Sequence, residues 1–225
     1  MGLAVHHVQQ HRRAGRFGDR TARGGQVIVG GVHLSDNGAQ TGSGRAEPSR
    51  CDPGFMTQLV TNTRTLSPTD FAVPIDDRYF EDYATGAIYE HGYLTVAEQD
   101  IVGFAEQFDP QPIHTDRVFA EAGPFGGLIA SGWHSAGLLI RLFADHYLSR
   151  VASLASPGVD ELRWSVPLRP GDSLRLRATI VGTRPSRSKS DRGMVHTKAE
   201  LLNQNDQCPI SFLAMNILRR RNIDA

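Results

Sequence analysis

Residues 108–132 read FDPQPIHTDRVFAEAGPFGGLIASG, and the arrangement of the rest of the chain follows from how that stretch is read. Pro110 and Pro112 fix their own φ and bias the residues before them, Asp109 and Gln111, away from the helical region. Asp109 to His114 is therefore expected as a stiff extended turn that ends one helix and aims an acid and an imidazole at one point. Gly123-Pro124-Phe125-Gly126-Gly127 reads as a loop and Leu128-Ile129-Ala130 as a short apolar link. Ser131-Gly132 reads as the start of a new helix, whose unpaired N–H groups suit an anion. An acid, a base and a backbone donor together suit chemistry on a carbonyl compound, because the donor stabilises charge developing on oxygen.

Upstream, Thr95-Val96-Ala97-Glu98 fits a capping box, with Thr95 as N-cap and Glu98 at the third helical position. The helix that follows should reach Phe108, with Ile101, Phe104, Ala105 and Phe108 on one face. It delivers Asp109 at its C-terminal end, where the helix dipole disfavours negative charge by about 0.3 to 1 kcal/mol and is expected to push the carboxyl pKa upward. Ile88-Tyr89 and Tyr93-Leu94 suggest a pair of strands around Glu90-His91-Gly92.

Downstream, a short helix is expected over Arg117 to Ala122 and a long one from Gly132 to about Leu148. The long helix carries Trp133, Ala136, Gly137, Ile140, Phe143, Ala144 and Tyr147 as one apolar stripe for a sheet to cover. Leu174, Leu176, Ala178 and Ile180 alternate with Arg175, Arg177, Thr179 and Val181, the period of a half-buried strand. Arg169-Pro170-Gly171-Asp172 before it is a turn. Residues 160–168, 194–202 and 210–218 read as three more strands, the last two joined by Asn203-Gln204-Asn205-Asp206. Consecutive strands with short turns imply an antiparallel sheet, and a long helix across it gives an α+β fold.

The 24 Lys and Arg balance the 24 Asp and Glu, so net charge gives no argument for nucleic acid or for an acidic membrane surface. Cys51 and Cys208 are too few for a disulfide framework, which fits a reducing, cytoplasmic setting. No apolar run reaches the roughly 18 residues of a membrane span; the best, Trp133 to Leu148, is broken by His134, Arg141, Asp145 and His146. Residues 1–55 hold 11 of the 23 glycines and no lysine. They keep no sustained period, so an ordered core is not expected there. Residues 1–70 are read as a disordered extension, with a mis-assigned start upstream of Met56 as the favoured explanation ahead of a solvated tail or a transit peptide, and residues 71–221 as the folded domain.

Several motifs carry less than they suggest. His114 with Asp116, or His134, are too few groups for a metal site. Trp133-His134-Ser135-Ala136-Gly137 lacks the first glycine of a nucleophile elbow and the parallel sheet that motif needs. Arg184, Arg187, Lys189 and Arg192 form a basic cluster that either meets phosphates of coenzyme A or is a solvated hairpin loop.

From about Tyr79 to Arg220 the sequence resembles the MaoC-like acyl dehydratases, relatives of the (R)-specific enoyl-CoA hydratases with the hot dog fold. The resemblance rests on Asp109-Pro110-Gln111-Pro112-Ile113-His114-Thr115-Asp116, on Phe125 through His134, on Pro157 through Trp164 and on Arg169-Pro170-Gly171-Asp172, four blocks in order. It implies a curved antiparallel sheet around a central helix, with two units pairing into a homodimer or higher oligomer. Asp109 and His114 would activate water, and the N–H of Gly132 would hold the thioester oxygen. Phe108, Gln111, Ser131, Trp133, Arg184, Arg187 and Lys189 are candidates for binding the substrate, an acyl thioester of coenzyme A or of an acyl carrier protein, with no cofactor or metal. Gln111 and Phe108 depart from the family pattern, which has Asn and a small residue there. The implied activity is hydration of a trans-2-enoyl thioester or its reverse; a hot dog thioesterase or a non-catalytic acyl-binding subunit are the alternatives.

Truncation before Met56 is expected to leave melting temperature and activity unchanged; a clear drop in melting temperature would contradict the reading of that segment.

Overall fold

The computed structural model describes residues 70–221, and 61–65 by backbone. The expectations for residues 1–60 lie outside the described residues, as does Cys51, whereas residues 61–65 of the expected extension form a strand of the sheet. In chain order the elements are β1 (Thr61–Thr65), β2 (Ile88–Thr95), α1 (Glu98–Phe108), α2 (Pro112–Thr115), α3 (Arg117–Ala122), α4 (Gly132–Leu142), β3 (Ser153–Trp164), β4 (Ser173–Pro185), β5 (Arg192–Leu202) and β6 (Ile210–Arg219). The strands form one six-stranded sheet in the order β1-β2-β4-β5-β6-β3, antiparallel at every step. The chain between β2 and β3 therefore crosses from one side of the sheet to its far edge, carrying α4 with it. This is the hot dog arrangement of a sheet curved around a helix.

The alternation in the sequence makes the core. Leu174, Leu176, Ala178 and Ile180 are wholly buried, and Ile210, Phe212, Ala214 and Leu218 do the same for β6. They meet Leu138, Leu139, Leu142, Phe143 and Tyr147 of the helical segment. After Leu142 the helix widens into a π-helical turn, Phe143–Tyr147. Its last carbonyls are met by buried side chains. Arg78, 4% exposed, donates from Nη1 to the carbonyls of His146 (3.1 Å) and Tyr147 (2.8 Å), and the Tyr83 hydroxyl donates to Tyr147 O (2.9 Å). A cation facing the C-terminal carbonyls has a favourable place in the helix dipole. Its guanidinium also lies 3.3 Å from the centre of the Phe71 ring, a cation–π contact.

Five local expectations need correction. Residues 88–95 are one strand, not two around a turn, because Gly92 answers a close approach: a Cβ there would sit 2.8 Å from Cβ of Arg175 on β4. The capping box does not form, since Thr95 is still paired with Ser173 and Ala97 occupies the N-cap. The stripe expected on the long helix faces outward in part, with Trp133 and Ile140 exposed and the leucines turned inward, because this helix has apolar residues on most sides. The strand expected at 160–168 is β3, Ser153–Trp164. Pro157 is tolerated there because β3 is an edge strand. The span from Asp109 to His114 is extended only to Gln111; Pro112 then starts the single turn of α2, a position where its missing N–H costs nothing.

His91 of β2 and His146 of the π-helical turn stack at 5.1 Å and 15°. Burial, and then the neighbouring His146 ring, lower the pKa of His91 to about 4, against a counter-pull from Asp70. The ordinary value is near 6.5, so between about pH 6.5 and 4 the unfolded chain binds a proton that the folded chain does not, and stability falls as pH falls through that window, by on the order of 3 kcal/mol for the full shift. His91→Phe keeps a ring on His146 and removes the titration, so its melting temperature should decline less than wild type between pH 7 and 4.5. Parallel declines would contradict this assignment.

Candidate active site

The site is assembled from the segment between α1 and α4. Asp109 is the C-cap of α1, with φ −154° and ψ 67°, so the chain leaves the helix there and the carboxylate faces back toward the start of α4. The turn of α2 holds His114 6% exposed, with its Nδ1–H donating to the carbonyl of Ile129 at 2.8 Å. That bond fixes the tautomer and ring orientation and leaves Nε2 facing the site. His114 Nε2 lies 3.5 Å from Asp109 Oδ2. The apolar link after the glycine loop is itself tied down, because Ala130 N–H donates to Leu168 O at 2.8 Å.

Asp109 is the most heavily engaged group. Gln111 donates from Nε2 to Oδ1 at 2.6 Å, and the buried hydroxyl of Ser131 donates to Oδ2 at 2.6 Å. These two donors, led by Gln111 and helped by His114, hold the carboxyl below the usual carboxylate range, against a smaller upward push from burial. The upward shift expected from the helix end is therefore overturned: donors in contact outweigh a dipole that reaches the carboxylate only from behind. Ser131 is also the N-cap of α4, accepting from Trp133 N–H at 3.3 Å. Gly132 occupies the first helical position, where its N–H has no intrahelical acceptor.

These groups open onto a cavity of about 410 Å³ whose wall includes Asp109, Gln111, His114, Gly132, Trp133 and Trp164. Trp164, at the end of β3, donates from its indole N–H to Gly132 O at 2.9 Å and meets Trp133 edge to face at 5.5 Å. Sequence reasoning missed this part of the wall. It treated residues 164–168 as strand interior, whereas β3 stops at Trp164 and Ser165 to Leu168 line the cavity.

Of the sequence-predicted residues, Asp109, His114, Gly132, Gln111, Ser131 and Trp133 come together. Phe108 does not join them. It is 63% exposed and packs outward against Phe104, the rings tilted at 44° with centres 5.0 Å apart, since the last turn of α1 points it away from the cavity. Phe104 in turn stacks on the buried ring of His134 at 4.9 Å, giving that histidine a packing role. Arg184 and Arg187 line a separate cavity of about 280 Å³ at the β4–β5 turn, and Lys189 lies on the same turn without lining it. Nothing in the wall around Asp109 is shared with that cavity.

Known proteins bear on this geometry. A MaoC-like domain model matches residues 83–201. The 3-hydroxybutyryl-CoA dehydratase of Methylorubrum extorquens is 32% identical over 117 residues, 50% of this chain and 69% of that protein. The 3-hydroxyacyl-thioester dehydratase Z of Mycobacterium tuberculosis is 31% identical over 111 residues, 48% of this chain and 74% of that protein. Among solved structures, a MaoC-like dehydratase from Rhodospirillum rubrum aligns with a TM-score of 0.60 and 35% identity, covering 64% of this chain and 99% of its own.

A Cβ at position 132 would stand 2.7 Å from Cε2 of Trp164, so Gly132→Ala must displace the indole. The expected result is a loss of about 1 to 3 kcal/mol of stability with a changed tryptophan emission spectrum. Wild-type stability and emission would contradict the close packing of Trp164 on the helix start.

Proposed function

We propose that this chain, which belongs to the MaoC-like domain family, is a hydro-lyase that adds water across the double bond of a trans-2-enoyl thioester to give the 3-hydroxyacyl thioester, or runs the reverse elimination. The observation that carries this reading is the convergence of Asp109 Oδ2 and His114 Nε2, 3.5 Å apart, beside the free N–H at the start of α4. The names of the dehydratase relatives point the same way. A water molecule can hydrogen-bond both groups at once across such a gap, which is what hydration requires and what a lone base would not supply.

The pair divides the work by its surroundings. Asp109, held below the usual carboxylate range, enters as the carboxylate and accepts a proton from the water as its oxygen bonds to C3. Electron density from the double bond moves onto the thioester oxygen, where the Gly132 N–H receives the developing charge. His114, which enters the cycle with a proton on each ring nitrogen beside the Asp109 carboxylate, delivers the proton on Nε2 to C2 as the carbonyl reforms and is left as the neutral ring. Its Nδ1–H stays on Ile129, so the ring does not turn during the exchange. Proton transfer between the two groups, 3.5 Å apart, restores the starting state. Water is consumed, and no other reactant is needed. The substrate is an acyl thioester of coenzyme A or of an acyl carrier protein. Ser131 acts through Asp109 as a positioning residue.

Asp109→Asn and His114→Gln should each lower hydration of a trans-2-enoyl-CoA by about 100-fold or more while the melting temperature stays within a few degrees of wild type. Wild-type turnover in either folded variant would sink the assignment. Ser131→Ala removes one charge-assisted hydrogen bond from Asp109, so kcat should fall by roughly tenfold and the acid limb of the kcat/KM profile should move to higher pH. A fall in activity with the acid limb unmoved would make Ser131 a helix cap only.

A further inference from the structure

Trp164 at the end of β3 and the four residues after it, Ser165 to Leu168, line the cavity that holds Asp109 and His114. This connection toward β4 is tied at three places to the segment that enters α4. Arg169 donates from Nη2 to Phe125 O at 2.6 Å, Leu168 O accepts from Ala130 N–H at 2.8 Å, and the Trp164 indole N–H donates to Gly132 O at 2.9 Å. The connection is itself braced against the rest of the fold. Ser165 N–H donates to Pro209 O at 3.1 Å, just ahead of β6, and Gly171 N–H donates to Val96 O at 2.8 Å, just ahead of α1. The start of α4 is therefore referred to the sheet through these ties, and Trp164 is the one that reaches Gly132.

Gly132 depends on such a tie more than another residue would. A glycine has wide backbone freedom, and at the first helical position its N–H has no partner within the helix to hold its direction. It also has no side chain to cover that N–H. The indole takes this place, because a Cβ at 132 would stand 2.7 Å from Cε2 and 2.8 Å from Nε1 of Trp164. Water reaches a ring that is 47% exposed, yet its N–H is directed at the helix start. The peptide that carries the Gly132 N–H is held from the other side by Ser135, whose N–H donates to Ser131 O at 3.1 Å. Both peptides of Gly132 are thus pinned, one from within the helix and one from the end of β3.

We propose that Trp164 is a positioning residue of the reaction: its indole, seated on Gly132 and bonded to the Gly132 carbonyl, keeps the Gly132 N–H aimed at the thioester oxygen. This rests on the hydro-lyase reading for the identity of that oxygen. A donor stabilises developing charge only where it meets the oxygen at hydrogen-bond distance, and a misplacement of about 1 Å costs on the order of 100-fold in rate. Without the indole N–H, Gly132 keeps its tie within the helix and loses its tie to the sheet, so the donor is less well aimed.

The test is Trp164→Phe, which keeps a ring against Gly132 and removes the indole N–H. kcat for a trans-2-enoyl-CoA should fall by roughly tenfold while KM changes by less than about threefold, because the tie serves charge that develops only in the transition state. A residue that merely stabilises the fold would lower the melting temperature and leave kcat at the wild-type value. That result would overturn the proposal with hydration still established. A second readout needs no turnover. The para-dimethylaminocinnamoyl thioester of coenzyme A has an extended conjugated carbonyl, whose absorption moves to longer wavelength when a donor polarises its oxygen. Bound at saturation to wild type it should show this shift, and bound to Trp164→Phe it should show a smaller one. An equal shift in both proteins, or none in wild type, would overturn the proposal. The probe reports on the oxygen and not on water addition. A protein that shows the larger wild-type shift without hydrating enoyl thioesters would lose the hydro-lyase reading and keep the role of Trp164.

Discussion

The hydroxyl of Ser131 joins the fold to the chemistry. It caps the central helix by accepting from Trp133 N–H and donates to Asp109, so the start of α4 and the end of α1 are fixed relative to each other through one oxygen. The hydroxyl is wholly buried while the carboxylate it meets opens onto the cavity, so the donor has no water to compete for it, and the bond is worth more than one exposed at both ends. At the other end of the helical segment, Arg78 and Tyr83 hold the last carbonyls. The helix is thus clamped at both ends while the sheet packs along its middle, and the free N–H of Gly132 is presented at a defined place.

The same clamp shapes the electrostatics. A carboxylate at a helix C-terminus is in an unfavourable field, yet Asp109 is held in its ionised form because Gln111 and Ser131 both donate to it. Gln111 stands where the family pattern has Asn. Its side chain folds back to donate to a carboxylate two residues earlier, so this position helps to hold Asp109 ionised. His114 is anchored through its other nitrogen to a main-chain carbonyl, which leaves the pair rigid and both reactive atoms on the cavity wall.

Much of this was legible in the sequence, for identifiable reasons. The prolines at 110 and 112 forced the chain out of helix α1, and the alternation from Leu174 to Ile180 identified a strand that pairs on both sides. What failed to show was decided by contacts between segments distant in sequence. Gly92 looks like a turn until Arg175 is seen against it. Trp164 reads as strand interior until its indole is found on Gly132. The facing of α4 was misjudged because Leu138, Leu139 and Leu142 compete with Trp133 and Ile140 for the core, and only the sheet settles which side wins. The pKa of Asp109 went the wrong way in the sequence because residue order does not show that Gln111 folds back to donate to it, nor that Ser131, 22 residues along the chain, is a neighbour in three dimensions.

The central claim, that two convergent groups add water to carbon and leave the thioester intact, is tested most directly by following enoyl-thioester absorbance and free thiol together in one reaction. With trans-2-enoyl-CoA substrates of several chain lengths, the account predicts loss of the enoyl absorbance without thiol release. Thiol release in step with the absorbance change would contradict it and assign the cavity to thioester hydrolysis.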